Sequence, residues 1–217
     1  MTDKNLLERL AAGEVLVSDG ATGTNLQREG LPVGAAAETW VLDNPDAIQS
    51  LNRAFAEGGS DILLTCTFGG TQLRLEASGL AGEFEAINRK AVQITREVAR
   101  EFGLLVGGSI GPTGHMLAPL GTVTVEEAEE NFRDQARLLV DSGVDLIVIE
   151  TQFDLSEALA AIRGVREVDA DIPLVCSFSY DRGTRTMTPV TPDNTPAQTR
   201  AQPHHTLHTH SAPPPHT

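Results

Sequence analysis

Acidic and hydroxyl side chains stand at the ends of successive apolar runs of this chain: Asp19, Thr65 with Thr67, Ser109 with Thr113, Glu150 with Thr151, and Ser177 with Ser179. Asp19 precedes Gly20, so a ligand can approach the backbone while its cationic part meets the acid. The same pair also reads as an Asx turn closed by glycine. Glu150 ends the run Val144-Asp-Leu-Ile-Val-Ile-Glu150 and reaches either a pocket mouth or a neighbouring loop. Two acids facing one pocket select a protonated amine, and no basic residue is evidently placed beside them to hold a phosphate. An amino acid fits this pattern. The loop Ser109-Ile-Gly-Pro-Thr-Gly114 exposes backbone N–H groups that could hold a carboxylate, or is simply a tight Gly/Pro turn. Cys66 has no histidine or cation near it in sequence to lower its pKa, so packing is its expected role.

The apolar runs that carry these tips have strand length, at residues 15–18, 61–65, 104–109, 145–150 and 174–178. Helical periodicity fills the gaps, at 45–57 after Asn44, 80–102, 125–142 after Thr124, and 155–168 after Asp154. In the third helix Thr124 and Glu127 form a capping box, and Ala128, Phe132, Ala136, Leu139 and Val140 share one face. Strands alternating with helices form a parallel α/β sheet, either open and doubly wound or closed as a (β/α)8 barrel. The first run leads into Asp19-Gly-Ala-Thr-Gly-Thr24, a poor match to a dinucleotide-binding turn. Polar residues at every strand tip favour the barrel. The expected fold is therefore a (β/α)8 TIM-type barrel, incomplete at five of eight strands, since a full barrel takes about 250 residues.

Composition narrows the function further. The 217 residues hold 16 Lys and Arg against 30 Asp and Glu, a formal charge of -14, with 4% aromatics. Such an acidic chain with few rings is no nucleic-acid binder. No apolar run approaches the roughly 18 residues of a membrane helix. Acid near the N-terminus argues against a secretion signal, so a cytoplasmic setting and two reduced cysteines, Cys66 and Cys176, are expected. The chain changes character at Thr188: residues 188–217 hold five of the six histidines and seven of the twelve prolines. Residues 1–187 are read as the barrel and 188–217 as a disordered tail. Tail histidines His204, His205, His208 and His210 suit adventitious metal binding, with no scaffold to fix them. His115 is expected at the surface.

Five motifs occur in one order: Asp19-Gly-Ala-Thr-Gly-Thr24, Glu38-Thr-Trp40, Asp61-Ile-Leu-Leu-Thr-Cys-Thr-Phe-Gly-Gly70, Gly108-Ser-Ile-Gly-Pro-Thr-Gly114 and Ile149-Glu-Thr-Gln-Phe-Asp154. Over about residues 5–187 the chain resembles the homocysteine S-methyltransferase family. The resemblance implies a barrel that binds homocysteine and transfers a methyl group to its thiol, giving methionine. It also implies a zinc ion that activates the thiol. By matching motif, Asp19 and Glu150 would hold the substrate amine, while Gly20, Thr67, Ser109 and Thr113 would line the same pocket. The family commonly has Asn where Cys66 stands.

The family's zinc ligands are three cysteines, one after the sixth strand and two in a Gly-Gly-Cys-Cys motif. Neither Cys66 nor Cys176 matches them, so no metal ligand and no catalytic residue is assigned, and this chain is expected to be inactive in transfer. The abrupt change near Thr188 is read as truncation or a frameshift. Such a chain would be either a non-catalytic amino-acid-binding half-barrel or an unstable fragment. The methyl donor stays open among methyltetrahydrofolate through methylcobalamin, betaine and S-methylmethionine. A cobalamin- or folate-binding partner domain or protein goes with the first of these. No nucleic-acid or membrane partner is expected.

Overall fold

The computed structural model describes residues 6–180, together with the backbone of 206–210. The chain enters through α1 (Leu6–Ala11), followed by an extended segment at 15–18 and three helices, α2 (Thr22–Arg28), α3 (Thr39–Asp43) and α4 (Pro45–Glu57). Strand β1 (Ile62–Leu64) is followed by α5 (Gln72–Ala77), a short 3-10 turn at Ala81–Glu83 and α6 (Phe84–Phe102). Then β2 (Leu105–Ile110), α7 (Val125–Asp141), β3 (Leu146–Gln152), α8 (Leu155–Val168), β4 (Leu174–Phe178) and β5 (Thr206–His210) complete the described elements. The sheet runs β1-β2-β3-β4-β5, every neighbouring pair parallel. From β1 to β4, sequential parallel neighbours with helices between them follow the winding order of a (β/α)8 barrel.

The register sorts side chains onto two faces, because alternate residues of a strand point opposite ways. Leu63, Val106, Ile110, Ile147, Ile149, Leu174, Cys176 and Phe178 pack with Phe132, Leu139, Ile162 and Val165 of α7 and α8 in the main core. The opposite face carries Ile62, Leu64, Leu105, Leu146, Val148 and Val175, closed at one end by Leu6 and Leu10 of α1. Helices α7 and α8 approach closely at Gly164, where an added Cβ would lie 2.7 Å from the Glu129 carbonyl oxygen.

Local signals placed most elements. Helix α4 spans the expected residues, although the Asn44 side chain makes no capping bond. Asp154 caps α8 by accepting from Ser156 N at 2.7 Å and Glu157 N at 3.0 Å. The Thr124 box is formed in full: its hydroxyl accepts from Glu127 N at 3.1 Å, and the Glu127 carboxylate accepts from Thr124 N at 2.8 Å. Thr124→Ala is therefore expected to lower unfolding free energy by about 1 kcal/mol, read as a shift in urea midpoint at unchanged slope. An unchanged midpoint would show that the box contributes nothing.

Two expectations differ from the structure. Residues 15–18 form no full strand: they join β1 through one parallel bridge, Ser18 with Ile62. Val15 and Val17 are exposed, and the Asp61 carboxylate takes the Val17 N–H that a ladder would use. Pairing on one side only gives too few bonds to regularise this segment. In the proposed tail, the backbone of 206–210 pairs with β4 from Leu174↔Thr206 to Phe178↔His210. An open strand edge offers N–H and C=O groups to any extended backbone, whatever its side chains. The rest of the tail, including His204 and His205, lies outside the described residues.

Candidate functional site

The strand tips meet in one cleft of about 550 Å³, lined by Asp19, Gly20, Glu38, Ser109 and Glu150 among others. Asp19 follows the bridged segment, and its backbone N–H donates to Ile62 O at 3.0 Å. Its carboxylate accepts from Leu64 N at 2.9 Å and from the Ser18 hydroxyl at 3.3 Å, so it caps the end of β1. Burial pushes the Asp19 carboxyl up to about 7; the Leu64 bond opposes this and the charge of Glu150 adds to it. Burial also raises Glu150, against the hydroxyl that Ser109 donates to it. Two acids whose charges sense each other in a half-buried cleft hold an arriving cation strongly.

Ser109 is itself fixed from behind. Its N–H donates to Thr65 Oγ1 at 3.1 Å, its carbonyl accepts from Thr67 Oγ1 at 2.7 Å, and the two threonine hydroxyls share a 2.6 Å bond. At the end of β3 the register with β4 shifts between Ile149 and Gln152, and Thr151 takes a left-handed φ of 62°. This bulge, tied by Thr151 N to Ser177 Oγ, sets the direction of the adjacent Glu150.

Of the residues singled out in the sequence, Asp19, Gly20, Ser109 and Glu150 line the cleft together. Thr67 and Thr113 do not. Both are fully buried behind it, Thr67 in the Ser109 network and Thr113 donating through N–H and hydroxyl to Glu157 Oε1 at 2.8 and 2.6 Å. Sequence reasoning missed Glu38 and Arg74. Glu38 is 5% exposed and accepts from Gly69 N at 2.6 Å; burial raises its carboxyl. Arg74 lines the cleft, contrary to the expectation that no basic residue serves it. Both come from connecting segments rather than strand tips; Glu38 opens the motif Glu38-Thr-Trp40, which was given no role, and Arg74 carries no such signal.

The described residues do not fit a zinc centre. Among them no three His, Cys, Asp or Glu side chains converge. Cys66 and Cys176 are buried, and burial raises both thiols, Cys176 to about 12, so both stay protonated near neutral pH. A cysteine binds zinc as its thiolate. No helix among the described residues is long and apolar enough to cross a membrane.

Comparison with known proteins gives the family and the fold. The profile described as homocysteine S-methyltransferase matches residues 16–205. Betaine–homocysteine S-methyltransferase 1 of Danio rerio is 31% identical over 163 residues, covering 74% of this chain and 40% of that protein. The S-methylmethionine–homocysteine S-methyltransferase BHMT2 of Mus musculus is 29% identical over 187 residues, covering 86% of this chain and 49% of that protein. The chain thus spans half or less of the length of these relatives. The homocysteine methyltransferase MmuM of Escherichia coli, in its metallated form, superposes with a TM-score of 0.78 at 23% identity, over 92% of this chain and 75% of that one. That likeness shows the shared fold.

Proposed function

Because the chain belongs to the homocysteine S-methyltransferase family, we propose that its cleft binds homocysteine by the α-amine, in the service of methyl transfer to the thiol. The observation that carries this reading is the pair Asp19, after the segment bridged to β1, and Glu150, on β3, which line one cleft and lie close enough for the charge of Glu150 to act on Asp19. Each carboxylate accepts a hydrogen bond from its surroundings, Leu64 N to Asp19 and Ser109 Oγ to Glu150, so both are oriented before ligand arrives. A protonated amine placed between them gains two charge-assisted bonds and relieves their mutual repulsion.

The described residues bind and orient; they supply no thiol-activating group. The metal named for MmuM finds no ligand set among the described residues, and no step is assigned to it. The relatives' names place betaine and S-methylmethionine as donors for those proteins, and both remain candidates for this one. A cobalamin- or folate-carrying partner is the alternative source of the methyl group. A cytoplasmic location is consistent with this chemistry.

Calorimetric titration with L-homocysteine, beside label transfer from betaine, S-methylmethionine and methylcobalamin with zinc present, tests the proposal. The expected result is saturable binding without methionine formation above a no-protein control. Absence of binding would remove the assigned site, and turnover would show that this chain carries an activating group of its own.

A further inference from the structure

Arg74 lines the acidic cleft, and its guanidinium is uncommitted among the described residues. It is the sole basic residue lining the cleft among the described residues, with the acids Asp19, Glu38 and Glu150 in the same lining. Arg9, Arg53, Arg89 and Arg163 ion-pair with acids at 2.6 to 2.8 Å. No hydrogen bond or ion pair of the Arg74 side chain occurs among the described residues; its backbone N–H donates to Thr71 Oγ1, the cap of α5. Glu38 attracts it electrostatically, yet the Glu38 carboxylate is already engaged by Gly69 N.

The path of the side chain is defined by a second feature. Gly114, with φ of +82°, lies against it so closely that a Cβ there would sit 2.3 Å from Arg74 Nη1 and 3.3 Å from Cζ. A glycine is therefore required in the β2–α7 loop for the guanidinium to lie where it does. The planar fork of an arginine matches a carboxylate with two parallel N–H donors. Acids and an uncommitted cation in the same lining form the complement of a zwitterion.

We infer that Arg74 binds the carboxylate of a zwitterionic amino-acid ligand held in this cleft. This rests on the homocysteine-binding reading above and adds a specificity residue to it. The carboxylate has two possible sources with the same chemistry, the thiol substrate or a zwitterionic methyl donor.

Paired ligands separate the sources: homocysteine against homocysteamine, which keeps thiol and amine but lacks the carboxylate, and S-methylmethionine against aminopropyl-dimethylsulfonium, its decarboxylated counterpart. Dissociation constants are measured by calorimetry on the full chain and on R74Q, R74K and G114A. The expected result is that R74Q weakens one carboxylate-bearing ligand about tenfold, the scale of one charge-assisted pair, and leaves its decarboxylated partner within twofold. The ligand affected identifies the source. R74K should recover part of the loss, and G114A, which retains Arg74 but displaces its guanidinium, should reproduce the R74Q pattern.

Equal weakening of both members of each pair, or no weakening of any ligand, overturns the assignment of Arg74 while leaving the amine site standing. Failure of the unsubstituted chain to bind any of the four ligands overturns both. Because Arg74 is exposed, circular dichroism melts of R74Q should match those of the parent chain.

Discussion

Asp19→Asn is expected to weaken homocysteine binding by about thirtyfold or more while making the folded protein more stable. The first effect follows from removing one of two half-buried charges that face the ligand amine. Truncating one partner of such a pair costs about 2–5 kcal/mol, and Glu150→Gln should act in the same direction. The second effect follows from the raised Asp19 pKa. Its carboxyl moves from 3.8 to about 7 on folding, so the folded state holds a proton that the unfolded chain releases. Stability from this group is fully present below the unfolded value and is lost as pH rises through about 7. At pH 8 the ionised acid is therefore a strain on the fold. An asparagine removes it while its carbonyl still accepts from Leu64 N. The gain is on the order of 2 kcal/mol, about half the full linkage value of 1.36 kcal/mol per unit, to allow for the solvent that reaches the cleft.

Binding has the opposite pH dependence. The amine needs the ionised acid, so homocysteine affinity should fall as pH drops from about 8 through 7, by up to tenfold per unit while one proton is taken up. Calorimetry across that range, with thermal melts of the parent and Asp19→Asn at pH 8, reads both signs. An asparagine variant that binds within threefold of the parent, or melts below it, would remove Asp19 from the amine site. Opposed changes in stability and affinity are the signature of a charge held in place for a ligand, which a purely structural Asx turn does not produce.

Asp19 and Glu150 were legible in the sequence because a strand buried along its length can end in a carboxylate only where the sheet opens to a pocket or a loop. Helices α4, α7 and α8 were legible for a similarly local reason: caps and apolar spacing lie within a few residues of the boundary they define. What escaped depends on distant contacts. Glu38 is buried because Gly69 N–H, 31 residues on, reaches its carboxylate. Arg74 lines the cleft with its guanidinium laid against Gly114, 40 residues on, and its six-residue helix α5 is too short to show a period. Thr67 and Thr113 are the reverse case: their position beside strand tips was read correctly, but they are buried outside the lining of the cleft, with hydroxyls that find acceptors in Ser109 O and Glu157. The segment at 15–18 has the apolar composition of a strand and lacks the second neighbour that would make it one.

Gly70→Ala is expected to destabilise the fold by about 3 kcal/mol, although replacing glycine by alanine commonly stabilises by about 0.4–1 kcal/mol through the unfolded chain. Gly70 does not take a positive φ, so the backbone itself would accept alanine. The obstacle is the surroundings: its Cβ would lie 2.7 Å from Gln135 Nε2, 2.8 Å from Asn88 Oδ1 and 2.9 Å from Thr67 O. These are the members of one buried network. Gln135 Nε2 donates to Thr67 O at 2.9 Å and to Asn88 Oδ1 at 3.1 Å, while Asn88 Nδ2 donates to Gly70 O and Phe84 O, each at 2.8 Å. Asn88, Gln135 and Thr67 are all fully buried. A methyl group there must part at least one pair, and a buried polar group left without a partner costs about 1–3 kcal/mol. Forcing the methyl into a filled space adds a similar amount.

Gly82→Ala is the control, since nothing lies within 4 Å of its added Cβ, and its unfolding free energy should stay level or rise slightly. Urea unfolding of the two variants decides the matter; a Gly70→Ala chain within 1 kcal/mol of the parent would mean that the network yields without loss. The same network carries Thr67, whose hydroxyl holds Ser109 O, and Ser109 in turn holds Glu150. Homocysteine affinity of the folded fraction should therefore fall as well, although Gly70 does not line the cleft. Loss of stability with unchanged affinity would separate the network from the orientation of Glu150, leaving Ser109 to depend on Thr65 alone.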